Sequence, residues 1–137
     1  MDTELAWAAG FFDGEGSVAC YYYNDRRDRH GKLRGTSLTA NVRQAEGRDG
    51  GMPPTLLRFQ GAVLLGTLSG PIAYPAPRRP MYTFQCAGRS VGELFALLGP
   101  WLSPTKRAAF VRAIERYNAR PLSRNAAWRE KASMIVP

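Results

Sequence analysis

The chain has 137 residues, 45% of them hydrophobic, which is enough for one compact domain with a buried core and too few for two ordinary ones. Its formal net charge is +8, and of its 19 basic residues only Lys32, Lys106 and Lys131 are lysine; an arginine excess suits bidentate contacts to phosphate and guanine and makes nucleic acid the favoured partner. No apolar run approaches the roughly 20 residues that span a bilayer, Asp2 and Glu4 stand where a secretory signal would be basic, and Cys20 and Cys86 lie singly in apolar runs rather than in ligand pairs. These features exclude a membrane partner and a zinc or disulfide framework, and describe a soluble, intracellular protein with reduced core thiols and no small-molecule substrate.

Thr3 is expected to cap a first helix that runs through Leu5, Ala8, Ala9 and Phe12 at helical spacing until Gly14 and Gly16 break it. Two acids, Asp13 and Glu15, therefore stand at a helix C-terminus, where the backbone already carries partial negative charge, and a bound cation would relieve them. Ala6, Ala9 and Gly10 are small residues that let a second helix of the same kind approach closely. Residues 17–23, including Tyr21 and Tyr23, are rich in strand formers, and residues 36–44 alternate. Leu38, Ala40 and Val42 then face a core, while Ser37, Thr39, Asn41 and Arg43 form a hydrogen-bonding face without acids, the composition of a DNA-reading surface. Between these strands a basic hairpin loop carries Arg26, Arg27, Arg29, Lys32 and Arg34; His30 within it reads as a phosphate or solvent contact rather than a general base.

A second helix is expected after Pro53-Pro54, burying Leu56, Leu57, Phe59, Val63, Leu64 and Leu68 and ending at Gly70-Pro71. A second hairpin follows from residues 72–74 and 81–86, joined by a proline-rich loop with Arg78 and Arg79; Tyr82, Phe84 and Cys86 alternate with Met81, Thr83 and Gln85. Helices over residues 91–98 and about 105–117 complete the domain, the latter with Arg107, Arg112 and Arg116 outward. The domain is placed at residues 1–118 and a basic tail at 119–137.

Residues 8–16, Ala-Ala-Gly-Phe-Phe-Asp-Gly-Glu-Gly, resemble the LAGLIDADG motif of homing endonucleases: Ala9, Gly10, Asp13 and Gly16 are identical to it, and Phe11, Phe12 and Glu15 are conservative replacements. The order helix, two strands, helix, two strands, helices matches that family's αββαββα, α+β fold from Leu5 to Tyr117. The resemblance implies a curved antiparallel sheet laid in the DNA major groove, read by Tyr21, Tyr23, Ser37, Thr39, Asn41, Arg43, Thr83 and Gln85 and by the arginines and Lys32 of the two loops. It makes Glu15 the metal ligand, with Gly14 beside it, and Asp13 a residue that caps or orients paired helices through Ala6, Ala9 and Gly10. Gln44 falls on a glutamine that orders water near the scissile phosphate, and Arg48 on a nearby basic residue. A family lysine aligns with Thr105, so its role either moves to Lys106 or is absent.

Magnesium keeps several waters and takes one or two protein carboxylates alongside substrate phosphates, so one acid per subunit at a shared centre suffices. A single motif supplies one such helix. The expectation is a homodimer joined through the first helix that cuts both strands of a long, roughly palindromic duplex with Mg2+, or with Mn2+, while Ca2+ supports binding without cleavage. The alternatives of other classes are a DNA-binding regulator that has lost catalysis and an intron RNA maturase of the same fold. Asp13 and Glu15 favour the enzyme, because a binder gains nothing from acids beside phosphate.

Overall fold

The computed structural model describes residues 2–22 and 35–120. The first helix, α1 (Thr3–Glu15), begins at Asp2, whose carboxylate accepts the N–H groups of Glu4 and Leu5 at 3.1 and 3.2 Å. Asp2 is therefore the N-cap, and Thr3, expected in that role, is already helical; both residue types suit the position, and the difference of one residue lies within the usual ambiguity of a helix end. Gly16 closes the other end, its N–H donating to the Phe12 carbonyl.

Two antiparallel hairpins follow, β1 (Gly16–Tyr22) with β2 (Thr36–Ala45) and β3 (Thr67–Ile72) with β4 (Met81–Ala87), and they merge into one four-stranded sheet of order β1-β2-β4-β3. Helix α2 (Pro54–Val63) connects the hairpins, and α3 (Arg89–Leu98), a 3-10 turn (Gly99–Trp101) and α4 (Pro104–Asn118) follow β4. The result is the expected α+β order.

The helices cover one face of the sheet. Leu38, Ala40 and Val42 of β2 and Tyr82, Phe84 and Cys86 of β4 point into the core, as the two-residue period requires. Four fully buried phenylalanines join the layers: the Phe12 ring lies 5.3 Å from Phe110 and 6.2 Å from Phe59, and Phe59 meets Phe84 edge-on at 4.8 Å. Each such ring contributes about 1.5–3 kcal/mol by leaving water. Cys20 and Cys86 are buried free thiols, and among the described residues no helix is long and apolar enough to cross a membrane.

The second helix is shorter than its apolar pattern suggests. It stops at Val63, with Leu64 in the left-handed region and Gly66 also at positive φ. A Cβ on Gly66 would stand 2.5 Å from the Phe84 ring, so this glycine lets the chain cross Phe84 closely and enter β3 at Thr67. Leu68 accordingly belongs to a strand, and Gly70-Pro71 lies within β3 rather than at a helix end. Leu57 and Leu64, expected to be buried, are 54% and 84% exposed, because Leu56, Phe59 and Val63 already form the inward stripe.

Candidate functional site

The open face of the sheet is built by register. Ser17 pairs with Asn41, Asn41 with Gln85, and Gln85 with Thr67, so one polar row crosses all four strands. A second row joins Arg43, Thr83 and Ser69, a third Ala19, Thr39 and Ala87, and Tyr21 stands opposite Ser37. Ser17 Oγ donates to Asn41 Oδ1 at 3.2 Å, which presets the direction of that amide. Thr83 is 6% exposed and its hydroxyl has no hydrogen-bond partner among the described residues, an unsatisfied donor on a face otherwise open to solvent. Ser17, Thr67 and Ser69 join this surface without having been legible in the sequence. Only the pairing register places them there.

Arg79 donates to the Gly47 carbonyl at 3.0 Å and its Nε lies 3.7 Å from the Glu46 carboxylate, so it ties the β3–β4 loop to the loop after β2. Arg78 stacks over Tyr74 at 4.1 Å and keeps its exposure. Tyr23, Arg26, Arg27, Arg29, His30, Lys32 and Arg34 lie outside the described residues, as does residue 121 onward.

At the end of α1 the two acids separate in role. The Asp13 carboxylate accepts the Ser103 N–H at 2.9 and 3.2 Å and the Ser103 hydroxyl at 2.8 Å. Ser103 is in turn the N-cap of α4, its Oγ accepting the Lys106 N–H at 3.2 Å. Asp13 thus fastens α1 to α4 of its own chain. Glu15 is exposed, and among the described residues its carboxylate makes no hydrogen bond or ion pair. Lys106 reaches back to the same end: its Nζ donates to the Gly16 carbonyl at 2.7 Å and lies 5.7 Å from the Phe12 ring centroid. A cation beside a helix C-terminus that carries two acids offsets both the acids and the backbone dipole.

Gln44 follows Val42 on the inward side of β2, and Val42 is the partner of Gly16, so Gln44 stands at the same end of the sheet as Glu15. Its Oε1 accepts the Thr55 hydroxyl, which orients the amide from α2. Arg48 is exposed in the tight turn that the Gly47 N–H closes onto the Gly51 carbonyl. Glu15, Lys106 and Gln44 therefore gather at one end of the sheet, with Arg48 on the adjoining loop.

On α1, Gly10 and Gly14 are exposed, and among the described residues a Cβ on either would meet nothing within 4 Å. Ala6 is half-buried, whereas Ala9 is fully buried in the chain's own core. Ala9, expected on a pairing face, therefore serves internal packing: one turn of helix cannot present residues 9 and 10 in the same direction. The outward ridge is Thr3, Ala6, Gly10 and Gly14. Beside it, Trp7 stacks on Phe11 at 5.2 Å, and Arg58 lies 3.9 Å over Trp7 while pairing with Glu4 at 2.7 Å.

Among the described residues no three acidic, histidine or cysteine side chains converge on a metal-sized site. What one chain offers is an exposed carboxylate at a helix end, oxygen chemistry that fits Mg2+ when other ligands are waters and phosphates.

No family sequence model and no curated protein matches this sequence. Solved structures do match. The homing endonuclease I-CvuI, in complex with its target in the presence of Ca, superposes with a TM-score of 0.62 at 24% identity, over 84% of this chain and 67% of that one. The homing endonuclease I-TnaI aligns with 86% of this chain and 78% of its own at 23% identity and a TM-score of 0.57. The archaeal intron-encoded homing endonuclease I-Vdi141I, complexed with DNA, aligns with 85% of this chain and 68% of its own at 19% identity and a TM-score of 0.60. The LAGLIDADG meganuclease I-AabMI, bound to uncleaved DNA, matches over 83% of this chain, which spans only 35% of it. The chain thus has the fold of the LAGLIDADG homing endonucleases.

Proposed function

We propose that the protein is a site-specific DNA endonuclease of the homing type, cutting both strands of a long, near-palindromic duplex as a homodimer joined through α1. The observation that carries this reading is the exposed Glu15 carboxylate, unengaged among the described residues, at the end of a helix whose other C-terminal acid, Asp13, is internally bonded, adjoining an open sheet face of uncharged polar side chains and arginine. Pairing of two Thr3–Ala6–Gly10–Gly14 ridges brings two Glu15 carboxylates to one centre, with Gly14 against the partner helix. Glu15 and Gly14 hold Mg2+ there; Mn2+ substitutes and Ca2+ supports binding alone. The ion, when bound, supplies charge for the phosphoryl and leaving oxygens and a more acidic water.

The remaining roles fall to side chains already positioned. Gln44, oriented by Thr55, donates its amide toward the attacking water; Arg48 faces the phosphate backbone beyond the sheet end; Asn41, Arg43, Gln85 and the other outward residues read base edges in the major groove. The DNA-bound state of I-CvuI and I-Vdi141I supports duplex DNA as the partner. Selection from a randomised duplex library tests the reading, run for cleavage in Mg2+ and for binding in Ca2+. Cleaved, near-palindromic sites are expected. Specific binding without cleavage would assign a regulator, and retention of structured intron RNA in place of duplex DNA a maturase.

A further inference from the structure

Four residues close a hydrogen-bonded circuit around Glu15. Asp13 accepts the backbone N–H and hydroxyl of Ser103; the same hydroxyl accepts the Lys106 N–H; and Lys106 Nζ donates to the Gly16 carbonyl. The circuit enters α1 two residues before Glu15 and leaves it one residue after. It joins segments 90 residues apart in sequence. We infer that Ser103 and Lys106 are positioning residues that hold the Gly14–Glu15 backbone, and through it the Glu15 carboxylate, against the last turn of α4, and that Lys106 acts through the Gly16 carbonyl rather than on the scissile phosphate. The consequence for cleavage rests on the endonuclease reading; the mechanical part does not.

The chemistry of the parts points this way. The last carbonyls of a helix lack intrahelical donors, and two acids in that turn add repulsion, so the end of α1 is the part of the helix most prone to fray. Lys106 supplies both a donor to Gly16 and a positive charge. Ser103 uses its single hydroxyl proton on Asp13 and a lone pair on Lys106, so alanine, which has neither donor nor acceptor, loses both side-chain bonds at once. The rest of the turn is equally fixed: the Gly16 Cα is wedged against the buried Phe12 ring, with no room even for a methyl. A carboxylate meant to meet an ion must be held within about 0.5 Å, and Glu15, exposed and without a side-chain bond among the described residues, takes its position there from this backbone. Outer groups that orient metal ligands typically govern metal affinity or activity by about 10–100-fold.

The test compares wild type, Ser103→Ala, Lys106→Met and Lys106→Arg, with Arg112→Ala on the outward face of α4 as a fold control. Two readouts are taken: Mg2+ dependence of single-turnover cleavage on a selected site, and amide hydrogen exchange over residues 13–17 in the free protein. The circuit predicts that Ser103→Ala and Lys106→Met raise the Mg2+ concentration for half-maximal cleavage roughly 10-fold or more, with most of the maximal rate recovered at saturation, DNA affinity in Ca2+ little changed, and exchange at residues 13–17 accelerated. Lys106→Arg keeps a cation and donors and should recover part of both effects. A lost maximal rate at unchanged Mg2+ midpoint in Lys106→Met, with exchange as in wild type, would overturn the inference and make Lys106 a group that touches the phosphate. If wild type cuts no selected site, the endonuclease reading fails, and unchanged or accelerated exchange still decides the circuit.

Discussion

Gly16 should be the glycine of the motif that stability depends on. Its φ of −90° is open to any residue, so the requirement is space. An added Cβ would stand 2.5 to 2.6 Å from three atoms of the Phe12 ring, and Phe12 cannot yield, being fully buried between Phe59 and Phe110. Forcing a methyl into such a site costs about 1–3 kcal/mol, or roughly 4–12 °C in Tm for a domain of this size. Gly10 and Gly14 differ, since a Cβ on either meets nothing within 4 Å among the described residues. Gly10→Ala lies well inside the helix and should stabilise the isolated fold by up to about 1 kcal/mol through helix propensity, while weakening association if the α1 ridges pair. Urea unfolding at low and high protein concentration, with sedimentation, separates the two effects. A Gly16→Ala variant as stable as wild type would refute the packing argument, and so would a Gly10→Ala variant that loses stability at concentrations where the protein is monomeric.

Larger bulk sharpens the second point: Gly10→Leu is expected to yield a folded monomer, and a stable, active dimer by sedimentation would show that the subunits meet elsewhere. On β2, Asn41→Ala and Arg43→Ala should each cost about 1–3 kcal/mol of discrimination at one base position per half-site with stability nearly unchanged, whereas Val42→Ala, fully buried, should cost about 2 kcal/mol of stability and leave site preference intact; binding selections and urea midpoints decide. Burial pushes the Cys86 thiol up to about 12 from an ordinary value of 9.0. The folded state thus keeps it neutral while the unfolded chain ionises, so this group's contribution is complete below pH 9 and declines as pH rises toward 12; Cys86→Ala should lack that part of the decline, and native Cys86 should resist thiol reagents at pH 8.

Much of this architecture is carried by local pattern. The alternation of β2 places Leu38, Ala40 and Val42 inward and its polar residues outward without reference to any other strand, and Gly14-Glu15-Gly16 marks the end of α1. What local pattern misses depends on distant partners. Leu64 and Leu68 continue the helical spacing of α2, yet Gly66 must pass the Phe84 ring, 18 residues on, and this ends the helix early. Ala9 and Gly10 look alike as small residues, and only the packed core distinguishes the buried one from the open one. The same holds at the site. Glu15 is legible as an acid at a helix end, whereas the bonding of Asp13 to Ser103 and of Lys106 to Gly16 spans 90 residues and leaves no periodic trace. The bonds of Arg79 to Gly47 and Glu46, across the gap between two loops, likewise leave no local signal, and its side chain stays half exposed.

Strand cleavage, in the proposed function, depends on an ion held by Glu15. The most direct test is Glu15→Gln against wild type on a selected duplex site, with cleavage followed in Mg2+ and affinity measured in Ca2+. The substitution removes the ligand charge and leaves the sheet face untouched, so cleavage should vanish while specific affinity stays largely intact. Cleavage by Glu15→Gln at the wild-type rate would show that Glu15 is not the metal ligand.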